Sequence, residues 1–379
     1  MRPKPGMPGR KRCRKSSMGK IINLSGISDT RIALAAARLA RDNQGQSLIV
    51  TPSESRAKRL AQDLSFFSSV PVLVWPDMEP GALRYEAKSP AELAARLQVL
   101  EMVCSGAPCV VVTPVLGALK KLPPKEVYTA NILRLSLSTV IDRDVLLRRL
   151  SRMGYERAET VESPGQFAAR GDIVDLYPPG MEDPLRIELF DENVDSLRLF
   201  DAQTQRSLEN IDHVDIFPAQ ILIGQDQVYE AAAKRVRHAY QQALQTQRDA
   251  DAVQRLKERR DYLIGCMEEG ANLQYLEHYV SYFYQEPRVL RDYLTDPGFV
   301  MVDDPVRVRE VFAFYEKESE ETRKIILERG DGIPEDFHSL PEAKDLADLT
   351  AAGPGRDIYY CTPFTQQIPG VARLDEIRS

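Results

Sequence analysis

Hydrophobic positions in the first third of the chain follow two alternating patterns. Unbroken β-branched runs at residues 47–52 (SLIVTP), 70–76 (VPVLVWP) and 109–115 (CVVVTPV) predict short strands buried on both faces. Helical spacing separates them, over residues 32–39 with Ser28 or Asp29 placed as a cap, over 56–64 and over 90–102. Strands of this kind alternating with helices predict a parallel sheet covered on both sides.

The pattern changes after residues 120–126 (KKLPPKE), a charged link containing proline. Residues 142–154 predict an amphipathic helix with Val145, Leu146, Leu147 and Leu150 toward a core. Short strands are expected at 171–180 (GDIVDLYPPG), 185–190 (LRIELF), 194–201 (VDSLRLFD) and 213–219 (HVDIFPA). Turn residues at 178–180 and 191–193 favour consecutive antiparallel pairing, hence a small α+β domain. Beyond it, 228–263 lacks Pro and Gly and predicts one or two long helices with charged outer faces. A buried strand at 299–304 (FVMVDD), a helix over 305–328, a loop at 334–341 and a last strand at 357–364 complete the pattern, without an internal repeat.

Composition narrows the function classes. With 43% hydrophobic and 28% charged residues among 379, the chain has the profile of a folded protein. It holds no apolar run long enough to span a membrane. Five scattered Cys without a paired spacing point to reduced thiols in a cytoplasm, not to zinc or disulfides. A net charge of -6 argues against a uniformly basic nucleic-acid binder. Residues 1–20 depart from this with eight basic and no acidic side chains, and 1–18 are expected to be a disordered basic tail. The basic stretch Arg255 to Arg260 reads more simply as a solvated helix face than as a DNA contact.

Strand and helix alternation interrupted by a small domain suits a nucleotide-driven motor, and such a motor needs a glycine-rich phosphate loop carrying Lys. The corresponding turn, LSGISDTR at 24–31, has one Gly, no Lys, and a carboxylate at Asp29. That charge would repel a triphosphate by on the order of several kcal/mol in a partly dry site. Gly26, Asp29 and Thr30 are therefore read as a degenerate nucleotide position. Asp303 and Asp304 could hold Mg²⁺, but a strand end and a helix cap explain them with fewer assumptions. The four His are dispersed, and no metal spacing or nucleophile motif is present. The densest signal lies at 167–206, where Arg170, Arg186, Arg198 and Arg206 mingle with Phe167, Tyr177, Phe190 and Phe200. Arg186 and Phe190 share a strand face. Two readings are balanced there: a protein-binding hot spot, or a core strand whose arginines pair with Glu188, Asp191 and Asp195.

The phrases RGDIVDLYP, LRIELFDENVDSLRLFD, TQRSLENI and IFPA closely resemble the bacterial transcription-repair coupling factor (Mfd) family, in the region it shares with the excision-repair protein UvrB. Weaker similarity reaches from about Ile21 to Asp304. The resemblance implies an α/β fold, a degenerate RecA/helicase-like parallel-sheet domain interrupted by a small α+β UvrA-interaction domain. Its implied boundaries are 19–127, an insert at 128–222, and 223–345 completing the α/β domain, with 346–379 the start of a linker or next domain. It also implies UvrA binding through Arg170, Arg186 and Phe190, with the arginines meeting acidic groups of UvrA and Phe190 an apolar anchor. RNA polymerase and double-stranded DNA are partners of full members, which use ATP and Mg²⁺ in translocase domains that this chain does not reach. No catalysis and no cofactor are expected here, and the chain is read as a fragment of a longer protein in preference to a stand-alone UvrA-binding module. The alternative is a divergent UvrB-like DNA-dependent ATPase. Against it stand the poor phosphate loop and the brevity of residues 75–90, too short for the aromatic hairpin of UvrB.

Overall fold

The computed structural model describes residues 19–77, 90–295, 297–353 and 356–363. The basic tail expected at 1–18, most of the 75–90 segment, and residues 364–379 lie outside the described residues. The chain opens with β1 (Ile21–Ser25), α1 (Thr30–Asn43), β2 (Gln46–Thr51), α2 (Glu54–Phe67), β3 (Val72–Val74), α3 (Pro90–Ser105) and β4 (Cys109–Pro114). Helix α1 buries Ile32, Ala33, Ala36, Ala37 and Ala40 and ends where Gln44 turns left-handed at φ 51°. Small side chains on that stripe let the helix lie close to the sheet. Helix α2 starts at Ser53, whose hydroxyl accepts from the Arg56 amide.

Short helices α4 (Val115–Leu119) and α5 (Lys125–Ala130) lead into the insert. There follow β5 (Leu133–Ser136), α6 (Arg143–Arg152), β6 (Glu156–Arg157), β7 (Gln166–Arg170), β8 (Ile173–Leu176), β9 (Leu185–Phe190), β10 (Asn193–Phe200), β11 (Ser207–Asn210) and β12 (His213–Ile216). The chain then returns through the helical hairpin α7 (Asp226–Thr246) and α8 (Ala250–Glu269). Three single turns come next, α9 (Leu273–Leu276), α10 (Val280–Phe283) and α11 (Leu290–Tyr293). Last are β13 (Gly298–Asp303), α12 (Pro305–Arg329), α13 (Ala343–Leu349) and β14 (Arg356–Thr362).

The body is one parallel sheet in the order β1-β14-β13-β2-β4-β3. Alternate residues serve its two faces. Leu48, Val50, Val111, Val300 and Val302 join α3, α4 and α12 on one side. Ile49, Val110, Val112, Phe299 and Met301 join α1 and α2 on the other. Burial of each such side chain is worth about 1.5–3 kcal/mol, which explains why these runs show no alternation. The insert sheet runs β11-β10-β9-β8-β7-β6, antiparallel from β7 to β11; the turns predict the β8-β9-β10 part, and β7 and β11 are strands the hydrophobic pattern did not mark. The fold is thus an α/β body of RecA/helicase-like type, interrupted by a small α+β domain.

Several expectations change. Strand β14 pairs with both β1 and β13, so the body does not stop at residue 345; 356–362 is an interior strand of its sheet. Strand β1 escaped the hydrophobic pattern because it is an edge strand, only half buried. β12 pairs with β5 in a separate two-stranded sheet instead of continuing the meander. The loop expected at 334–341 contains a 3₁₀ turn, Pro334–Phe337, which buries Asp336. That carboxylate accepts from the phenols of Tyr240 and Tyr282 at 2.7 and 3.0 Å.

Body and insert meet where Glu101 of α3 reaches the 178–180 turn. A Cβ at Gly180 would fall 1.6 Å from Glu101 Oε2. Burial pushes the Glu101 carboxyl up to about 7.

Candidate functional site: two positions built from arginine and carboxylate

At the C-terminal ends of the body strands, Asp29 and Asp303, two of the residues read from the sequence as a degenerate nucleotide position, come together on Arg56. The Gly26 amide donates to the Thr362 carbonyl at 2.8 Å, drawing the first loop onto β14. Asp29 precedes α1 at φ 44° and does not cap it, while Thr30 begins the helix. Arg56, carried in by α2, donates through Nε to Asp303 Oδ2 at 2.5 Å and through Nη1 to the Asp29 carboxylate. Asp303 is buried, and desolvation raises its carboxyl despite the bond from Arg56. Asp304 takes a separate role. Its carboxylate accepts from the Arg307 amide at 3.2 Å and caps α12, as the strand-end reading expects. Sequence reasoning missed Arg56, which no motif marks; only the helix α2 carries it to Asp303, 247 residues away.

The insert presents the second position. Leu185, Ile187 and Leu189 of β9 face the core with Leu146 and Leu150 of α6, so Arg186, Glu188 and Phe190 face outward. Register extends this outer face across the strands. Arg170 stands opposite Ile173, and Ile173 opposite Glu188. Asp175 stands opposite Arg186, which is opposite Arg198. At the turn end Phe190 pairs with Asn193, which bridges to Val140. The structure therefore brings Arg170, Arg186 and Phe190 to one face.

Their environments differ. Phe190 is 73% exposed, Val140 68% and Ile173 37%. Arg186 is held: Nε and Nη2 donate to the two oxygens of Asp175 at 2.7 and 2.8 Å, and its guanidinium lies 4.6 Å over the Phe200 ring. Those bonds raise the guanidinium above its usual range. Arg198 pairs with Glu188. Arg170 donates to the Glu159 carbonyl at 3.0 Å and the Thr160 hydroxyl at 3.1 Å. Of the two readings the sequence left open, the core reading fails for Phe190. The pairing reading holds for Glu188, but Asp175 takes the place assigned to Asp191 and Asp195. Ile173 was legible by parity, since Val174 and Leu176 are core; Val140 arrives through a tertiary bridge with no local signal.

The arginines of the basic stretch on α8 are occupied internally, while Lys257 is exposed. Arg259 donates to the Tyr279 phenol, Arg255 to the Arg329 carbonyl, and Arg260 pairs with Asp261. A cleft of about 740 Å³ runs between α3, the insert and residues 270–278, and none of the proposed site residues lines it.

Comparison with known proteins places these features. Residues 133–221 match the family model described as the UvrB interaction domain, so the outward face belongs to a domain of that class. Over 308 residues the chain is 32% identical to the transcription-repair-coupling factor of Bacillus subtilis strain 168, covering 81% of this chain and 26% of that protein. Over 349 residues it is 30% identical to the factor of the same name from Staphylococcus aureus strain MRSA252, covering 91% and 29%. The chain is a homologue of transcription-repair-coupling factors that carries a UvrB interaction domain. It spans less than a third of the length of these curated relatives. Among the described residues, no helix is long and apolar enough to cross a membrane.

Proposed function

We propose that this chain is a UvrA-recruiting module, which within a longer coupling factor links a stalled RNA polymerase on double-stranded DNA to nucleotide excision repair in the cytoplasm. The observation that carries the reading is Phe190, a large aromatic ring held out in solvent on the outer face of the UvrB interaction domain. An exposed aromatic on a rigid sheet, with Ile173 and Val140 on the same face, is the make-up of a docking anchor. Arg170 lies at the margin of this face and donates toward an acidic group of UvrA. Arg186 acts differently from a free cation: fixed to Asp175 and stacked on Phe200, it holds the strand that presents Phe190.

The body serves as a scaffold without hydrolysing ATP. Arg56 sits between Asp29 and Asp303, so its guanidinium neutralises two carboxylates of its own protein. A triphosphate would meet Asp29 with no Lys to compensate it, and Mg²⁺ would compete with Arg56 for Asp303. The residues present therefore fit neither ligand, and ATP and Mg²⁺ belong to translocase domains elsewhere in the family. Calorimetric titration of the chain with UvrA tests the proposal. Micromolar or tighter binding supports it, and the absence of heat with intact UvrA sinks it. A parallel titration with fluorescent ATP that saturates in the micromolar range would restore the ATPase alternative.

A further inference from the structure

The turn end of the docking face carries more charge than its apolar anchor requires. Asp172 lies in the β7–β8 turn, with its carbonyl accepting from the Leu189 amide. Asp191 and Glu192 form the β9–β10 turn, and Asp195 occupies the bulge where the β9–β10 register shifts. All four carboxylates are exposed, and none forms an ion pair among the described residues. They flank Phe190 and Val140, which are themselves adjacent across Asn193.

The cations of this end are directed elsewhere. Arg143 donates to the Gly171 carbonyl at 2.6 Å and pairs with Asp144 at 3.1 Å. Arg170 is drawn to the opposite edge by the Glu159 carbonyl and the Thr160 hydroxyl. Arg186 and Arg198 are neutralised by Asp175 and Glu188. The unpaired charge around the anchor is therefore negative, and the acidic partner group proposed for Arg170 lies away from it, at the margin of the face. Like charges brought together across a drying interface are strongly unfavourable, and complementary ones guide encounter and register.

We propose that the partner surface receiving Phe190 and Val140 is an apolar socket rimmed by Lys and Arg, whose cations face Asp172, Asp191, Glu192 and Asp195. This rests on the docking reading above and adds the chemistry of the opposing surface. The socket takes the phenylalanine ring, and the basic rim sets the angle at which the insert lands.

The test is binding of the full chain to purified UvrA, wild type against D191K/E192K, each over a series of salt concentrations. Both substitutions lie in an exposed turn, and an unchanged melting temperature shows that the double variant folds. The double reversal is expected to weaken binding by about tenfold or more at low salt, with the difference shrinking as salt rises. A variant that binds as tightly as wild type, or more tightly, overturns the basic rim and leaves the docking reading standing. Failure of the wild-type chain itself to bind UvrA overturns both.

Discussion

The same pair of groups, a guanidinium and a carboxylate, does opposite things at the two ends of this molecule. At the sheet ends of the body, Arg56 turns inward and ties α2 to β13 and to the first loop. On the insert, Arg186 lies flat on its own sheet, neutralised by Asp175, and the neighbouring Phe190 is left to solvent. The difference is burial. The two guanidiniums are equally exposed, but Asp303 is 4% exposed and needs a partner to stay charged, while Phe190 beside Arg186 is 73% exposed. Arginine beside a carboxylate is therefore no marker of function until the depth of the carboxylate and of the neighbouring side chains is known.

Removing Arg56 should break the comparison most sharply. Arg56→Ala leaves Asp303 buried without its cation and should destabilise the fold by about 3 kcal/mol, read from urea unfolding. Arg56→Met with Asp303→Leu should recover much of that loss, and UvrA affinity of the folded protein should be unchanged. Phe190→Ala should behave in the reverse way. Stability should stay within about 0.5 kcal/mol, while UvrA binding weakens by about 2 kcal/mol, near thirtyfold. Arg186→Ala should fall between, losing about 1 kcal/mol in each measurement, because Asp175 loses its partner and Phe200 its cover.

The smallest effect concerns the joint between the two regions. Burial raises the Glu101 carboxyl from 4.5 to about 7, so the folded protein holds this proton more tightly than the unfolded chain. The resulting stabilisation is fully present below pH 4.5 and is lost as pH rises through about 7. Glu101→Gln should remove that slope, with a difference of about 1 kcal/mol between acidic and alkaline melts after allowing for partial exposure. An identical pH profile in the variant would show that Glu101 does not carry it.

Sequence alone determined what depends on neighbours along the chain. Unbroken runs such as CVVVTPV fixed the buried parallel strands, and turn residues at 178–180 and 191–193 fixed the antiparallel order of β8, β9 and β10. Parity put Arg186 and Phe190 on one face. Tertiary structure alone decided which groups close over which. The pairing of β14 between β1 and β13, the entry of Arg56 beside Asp303, the choice of Asp175 as partner of Arg186, and the arrival of Val140 beside Asn193 all join segments that have no local reason to meet. Periodicity encodes the direction in which a side chain leaves its own element, and only packing sets what it finds there.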